Sequence, residues 1–154
     1  MLATDPYTAH DPATLLVLLL LGVVTAPALA GYAISTLARA RVIRAPAAAL
    51  RSAAATAWSM AVALYTWGVL HLVLLDGRAQ ADACRAAVGE RLTEYVPSFL
   101  PLRFGCRTGD GSTVEAVIPS YLNPALAVLA VCALVLTCLA IAESGEERKS
   151  TPAP

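Results

Sequence analysis

The stretch Pro12–Ala38, PATLLVLLLLGVVTAPALAGYAISTLA, contains no Asp, Glu, Lys or Arg. Two later stretches share that property: Ser52–Leu75, SAAATAWSMAVALYTWGVLHLVLL, and Ala116–Ala142, AVIPSYLNPALAVLAVCALVLTCLAIA. Each exceeds the ~20 residues that an α-helix needs to cross ~30 Å of hydrocarbon. A segment in lipid has no water to satisfy its backbone N–H and C=O groups, and a helix satisfies them internally. The sequence therefore predicts a membrane all-α protein with three transmembrane helices, at 14–37, 53–75 and 121–142. Pro27 is expected to kink the first. Pro119 and Pro124 flank the start of the third, where a missing N–H is tolerated.

Composition agrees with this reading. The 154-residue chain is 58% hydrophobic and 14% charged, with a formal net charge of zero. A soluble domain carries about 25% charged residues. So short a chain has too little interior to hide the rest, and its length allows one domain at most. With no net charge there is no electrostatic footing for nucleic acid.

The first stretch has a competing reading. Leu15–Val24 followed by Ala26-Pro27-Ala28-Leu29-Ala30 resembles the apolar core and small-residue cleavage site of a signal peptide. Such a peptide wants a basic start, whereas the first twelve residues carry Asp5 and Asp11 and no Lys or Arg. The uncleaved span is the better expectation.

Arg39, Arg41, Arg44 and Arg51 crowd the link at 38–52. Arginine density beside membrane ends places that link in the cytoplasm. The stub at 1–13 and the loop at 76–120 are then extracytoplasmic. The tail at 143–154 is cytoplasmic; being polar and ending in Pro-Ala-Pro, it is expected to be disordered. The location implied is the cell membrane, crossed more than once.

The long loop carries its own pattern. Ala81, Cys84, Val88, Leu92 and Tyr95 recur at helical spacing and predict a short amphipathic helix, broken by Pro97 and Pro101. Leu102, Phe104 and Cys106 alternate with Arg103, Gly105 and Arg107. After Thr108-Gly109-Asp110-Gly111-Ser112 the alternation resumes at Val114, Ala116 and Ile118, which predicts a β-hairpin. Glu115 should share a face with Arg103 or Arg107. These three and Asp110 are the candidate partner-contact residues.

Cys84 and Cys106 are the two cysteines of the loop, each on the apolar face of its element. About 40 residues cannot bury enough surface to be stable alone. A disulfide here would contribute roughly 3 kcal/mol by restricting the unfolded chain, and it would persist in an oxidising compartment. The alternative is a pair of buried free thiols in a cytoplasmic loop. A catalytic disulfide is disfavoured, since no Cys-x-x-Cys is present to depress a thiol pKa.

The spans themselves lack Asp, Glu and Lys, the usual marks of proton relays and ion pathways. Small residues line them at close intervals: Gly22, Ala26 and Ala30 in the first; Ala49, Ala53, Ala57 and Ala61 in the second; Ala130, Ala133 and Ala140 in the third. Such faces let helices approach closely. Cys132 and Cys138 read as small packing residues. His71 reads as an interfacial histidine near Trp67 and Tyr65, and His10 lies in the stub; a haem or copper site on the two is the sharper alternative. No phosphate-binding loop, nucleophile elbow or zinc spacing is present. No catalytic residue, metal-ligand set, cofactor or small-molecule substrate is inferred.

The loop pattern Cys84…Tyr95-Val96-Pro97…Pro101-Leu102-Arg103-Phe104-Gly105-Cys106…Asp110-Gly111…Pro119-Ser120-Tyr121-Leu122-Asn123-Pro124 resembles that of small uncharacterised bacterial three-span membrane proteins with a cysteine-paired extracytoplasmic loop. The resemblance covers residues 80–130 and implies the same topology but no activity. The expected role is non-enzymatic. It is that of an accessory, regulatory or protective (immunity-like) partner, whose outer loop meets another membrane or envelope protein beside the lipid bilayer. Two further classes stay open: an envelope redox or electron-transfer protein using His or Cys, and a subunit of an oligomeric transporter or small channel.

Overall fold

A computed structural model of the chain describes residues 11–43, 46–74, 77–89, 92–100, 102–115 and 118–150. The elements are α1 (Pro12–Ile43), α2 (Pro46–Leu74), α3 (Gly77–Val88), β1 (Leu92–Phe99), β2 (Leu102–Thr108), β3 (Thr113–Glu115) and α4 (Leu122–Ser150). Three of the helices are long and apolar enough to cross a bilayer.

These helices outrun the lengths read from hydropathy. α1 starts on Pro12, whose fixed φ suits a first helical position. Asp11 caps it, accepting from the Thr14 amide at 3.2 Å and the Thr14 hydroxyl at 2.7 Å. Those bonds hold the Asp11 carboxyl below its ordinary pKa. α1 continues without a break through Pro27 and past Arg39 and Arg41, and α2 resumes at Pro46. The arginine-rich link is thus largely helical. The tail corrects an expectation: 143–150 is the end of α4 and not an irregular segment. Glu143, Glu146, Glu147, Arg148 and Lys149 are strong helix formers, and extending an existing helix costs far less than nucleating one. Residues 151–154 lie outside the described residues.

The loop also departs from expectation. The amphipathic helix stops at Val88, where Gly89 takes φ +66, a left-handed conformation that ends helices. Leu92 and Tyr95, placed on that helix by their spacing, belong instead to a third strand. The sheet is a meander in the order β1-β2-β3, antiparallel throughout. Pro97 lies within β1 opposite Phe104. β1 is an edge strand, which tolerates the missing donor of a proline. The Gly-Asp-Gly turn between β2 and β3 stands where the sequence puts it, with Gly111 at φ +83.

The chain divides into two compact units, one of residues 1–21 and 64–124, the other of 22–63 and 125–154. The first has a core of Leu15, Val69, Leu72, Cys84, Leu102, Phe104, Cys106, Ile118 and Leu122. Phe104, Leu102, Leu122, Val69 and both cysteines are its largest fully buried side chains. In the second unit α2 runs antiparallel to both α1 and α4, as its hydrogen bonds show below.

Candidate functional site

The loop module in the first unit is built on β2, whose side chains alternate in burial except at the buried Gly105. Leu102, Phe104, Cys106 and Thr108 are buried, while Arg103 and Arg107 are exposed. Cys106 is bonded to Cys84 of α3, with Cα atoms 5.7 Å apart. Both sulfurs lie in the apolar core, so the bond joins helix to sheet from the inside. Tyr95 sits opposite Cys106 and packs its ring 5.9 Å from that of Phe104.

Three side chains that sequence reasoning missed tie the module to the long helices. Gln80 Nε2 donates to the Leu72 carbonyl at 3.0 Å, satisfying an acceptor in the last turn of α2. Tyr65 Oη donates to the Phe99 carbonyl at 3.1 Å. Asn123 Nδ2 donates to the Leu102 carbonyl at 3.0 Å. Gly68 makes this approach possible. A Cβ there would stand 2.7 Å from Leu102 Cδ2 and 3.0 Å from Leu122 Cδ1.

The opposite face of the sheet is polar. Arg103 pairs with Glu115 at 2.9 Å, and Arg107 with Glu94 at 3.5 Å. The two arginines of β2 therefore bridge to both neighbouring strands, with Gly105 between them. A Cβ at Gly105 would lie 2.5 Å from Thr113 Cγ2 and 3.3 Å from the Val96 carbonyl oxygen, so the Thr113 side chain would have to move to admit one. Of the two partners foreseen for Glu115, the structure selects Arg103. Asp110 turns inward on its own loop: its carboxylate accepts from the Thr108 hydroxyl and from the Ser112 amide and hydroxyl, the last two at 3.1 and 2.9 Å. The Thr108 bond first, then those from Ser112, hold the Asp110 carboxyl below the usual carboxylate range. At the β1–β2 end, Leu100 is 87% exposed. A hollow of about 600 Å³ touches Arg85, Gly89, Leu92 and Tyr95.

In the second unit α2 supplies four inter-helix donors among the described residues, in two pairs one heptad apart. Ser52 Oγ donates to the Ala33 carbonyl and Ser59 Oγ to the Ala26 carbonyl, each at 2.8 Å. Arg51 Nη2 donates to Ser144 Oγ at 2.6 Å and Trp58 Nε1 to Thr137 Oγ1 at 3.3 Å. Each pair climbs α2 while descending its partner. The only clue in the sequence is that Ser52 and Ser59 are the two serines of α2.

The small-residue ladders are only partly the packing faces. Gly22, Ala57, Ala61, Ala133 and Ala140 are buried, Ala26, Ala30 and Ala130 are half-buried, and Ala49 and Ala53 are exposed. Each four-residue step turns about 40° past a full circle, so a ladder at that spacing winds off the contact. The buried alanines of α2 are Ala47, Ala54, Ala55, Ala57 and Ala61, which share only Ala57 and Ala61 with the ladder. Beside α2, Leu29, Tyr32, Arg51, Ala54, Ala55, Trp58, Thr137, Ala140, Ile141 and Ser144 enclose a groove of about 380 Å³.

Cys132 and Cys138 are exposed on α4. His71 meets the Trp67 ring edge-on, with centroids 5.0 Å apart; His10 lies outside the described residues. No protein-family model matches the chain, and neither does any curated protein or solved structure.

Proposed function

We propose that this chain is a multi-pass integral membrane protein that acts without catalysis, as an accessory, regulatory or protective partner, through a disulfide-pinned module held outside the membrane. One observation carries the membrane part. Only 11% of the most apolar window of α1 and of α4 is buried within the protein, and 33% of that of α2. Leu16, Val17, Leu20, Leu21, Val23 and Val24 stand exposed along one helix. Each would forfeit roughly 1.5–3 kcal/mol if left in water, and a bilayer removes that cost.

The partner role rests on the architecture of the module. Its interior is closed by Cys84–Cys106, and what it offers outward is the Arg103–Glu115 and Arg107–Glu94 face, with Leu100 at the hairpin end. A display of charge with Leu100 as its most exposed apolar side chain suits recognition of another envelope protein. The disulfide favours an oxidising side for the module, and the arginines of the first link favour the cytoplasm for the other.

Membrane-impermeant thiol labelling of intact cells tests the topology. Both native loop sulfurs are buried, so the reporter is an exposed position on α3, Asp82→Cys. It should label, while Arg41→Cys should label only after permeabilisation. Labelling of Arg41→Cys alone would reverse the orientation, and with it the external module.

A further inference from the structure

Among the described residues, the groove beside α2 combines one guanidinium with an apolar wall and no carboxylate. Arg51 stands at one end, held by its hydrogen bond to Ser144 Oγ. Ser144 in turn donates to the Ala140 carbonyl at 2.5 Å, so the acceptor that positions the guanidinium is itself fixed to α4. About one heptad away, or ~10 Å along the helix axis, Trp58 and Leu29 line the other end. Tyr32 and Ile141, 51% and 67% exposed, form the flanks. The volume of about 380 Å³ falls within the ~300–1,000 Å³ of small-ligand sites. It suits a headgroup and part of one chain rather than a whole lipid.

From this geometry we infer that the groove binds an anionic phospholipid, its phosphate on Arg51 and an acyl chain along Leu29, Trp58 and Ile141. The ligand class follows from charge and place. A guanidinium pairs with phosphate oxygens through two parallel N–H donors. Arg39 and Arg41 near the end of α1, and Glu143 and Glu146 near the end of α4, are further charges at that end of the helices, and among the described residues Arg51 is the charged side chain that lines the groove. Basic pockets between membrane helices on the cytoplasmic side recognise anionic headgroups in this way. A zwitterionic headgroup gains less, because its own ammonium opposes Arg51. The apolar wall opens sideways, so the chain enters from the bilayer without crossing water.

The inference rests on the membrane reading above, and its test separates the two. The full chain in mild detergent is titrated with phosphatidylglycerol or phosphatidylcholine, and bound lipid is read by native mass spectrometry. Phosphatidylglycerol should be retained preferentially. Arg51→Gln should weaken it about fivefold or more, and Arg51→Lys should keep part of the preference. Ile141→Trp, which fills the groove and leaves the charge, should weaken both lipids; helix content by circular dichroism checks that each variant folds. Equal retention of the two lipids, or an Arg51→Gln chain as selective as the parent, would overturn the site. Displacement of phosphatidylglycerol by millimolar inorganic phosphate would make it a free-anion site and overturn the lipid assignment. A chain that resists alkaline carbonate extraction yet fails the titration loses only this inference, whereas a chain that carbonate releases loses the membrane reading as well.

Discussion

Ser52 donates a hydrogen bond from its hydroxyl to the carbonyl of Ala33, 2.8 Å away on the neighbouring helix, at a position only 4% exposed. Ser59 repeats the contact with Ala26 one heptad on. The two rungs set the register of α1 against α2, because sliding either helix by one residue breaks both.

Replacing Ser52 or Ser59 by Ala should therefore cost little. Each acceptor is an in-helix carbonyl that stays satisfied along its own helix, and hydrogen bonds between membrane helices average about 0.6 kcal/mol. The double variant should be close to additive, since the rungs are about 10 Å apart. Ser52→Leu should cost more, about 1–3 kcal/mol, by forcing the helices apart. Reversible unfolding in detergent measures all four. A Ser52→Leu chain as stable as the parent would contradict the close approach.

The disulfide predicts a different pattern. Cys84→Ser, Cys106→Ser and the double variant should lose the same bond and behave alike, each by roughly 3 kcal/mol in the module. The module should open to protease while the three long helices keep their helix content, which rests on apolar length. Non-reducing peptide mapping after alkylation before lysis reads the bond directly. Free thiols at both positions would remove it.

Gly68 is the point where β2 leans on α2. Gly68→Ala places a methyl against Leu102 and Leu122, two side chains with no spare room. About 1–3 kcal/mol of destabilisation is expected from overpacking, with Gly68→Val worse. Truncating the obstacle should relieve it, so Gly68→Ala with Leu102→Val should be less destabilised than the sum of the single changes. Strict additivity in a double-mutant cycle would show that the two do not meet.

Acid should loosen the β2–β3 turn by protonating Asp110. Its folded pKa lies below the unfolded value, so the stabilisation is present above the ordinary carboxylate range and is lost as pH falls through the folded pKa. Relative to its intrinsic rate at each pH, amide exchange at Gly111 and Ser112 should quicken across that acidic window. In Asp110→Asn the rate should lose this pH dependence.

On the outer face, Arg103→Gln and Glu115→Gln should shift stability by no more than about 0.5–1 kcal/mol, because the pair is partly exposed to water. If the face is the partner surface, the same substitutions should weaken co-purification of the partner from mild detergent. Undiminished association would move the contact to Leu100 or elsewhere on the module.

The three long helices, the hairpin turn and the Cys84–Cys106 pairing were legible in the sequence because each follows from local chemistry. Runs without charge, a Gly-Asp-Gly between alternating residues, and two cysteines on apolar faces carry their meaning along the chain. Where α3 ends and β1 begins was not legible. Leu92 and Tyr95 satisfy helical spacing and strand composition equally, and pairing with β2 decided between them. The alanine ladders marked the buried faces only in part, for a related reason: small size is a property of one residue, but a packing face is a property of two helices and their crossing. Ser52, Ser59, Gly68, Gln80 and Asn123 had no visible role in one dimension. A donor or a missing Cβ acts only on what lies opposite it, and only the tertiary structure brings Ala33, Leu102 and Leu72 to those places.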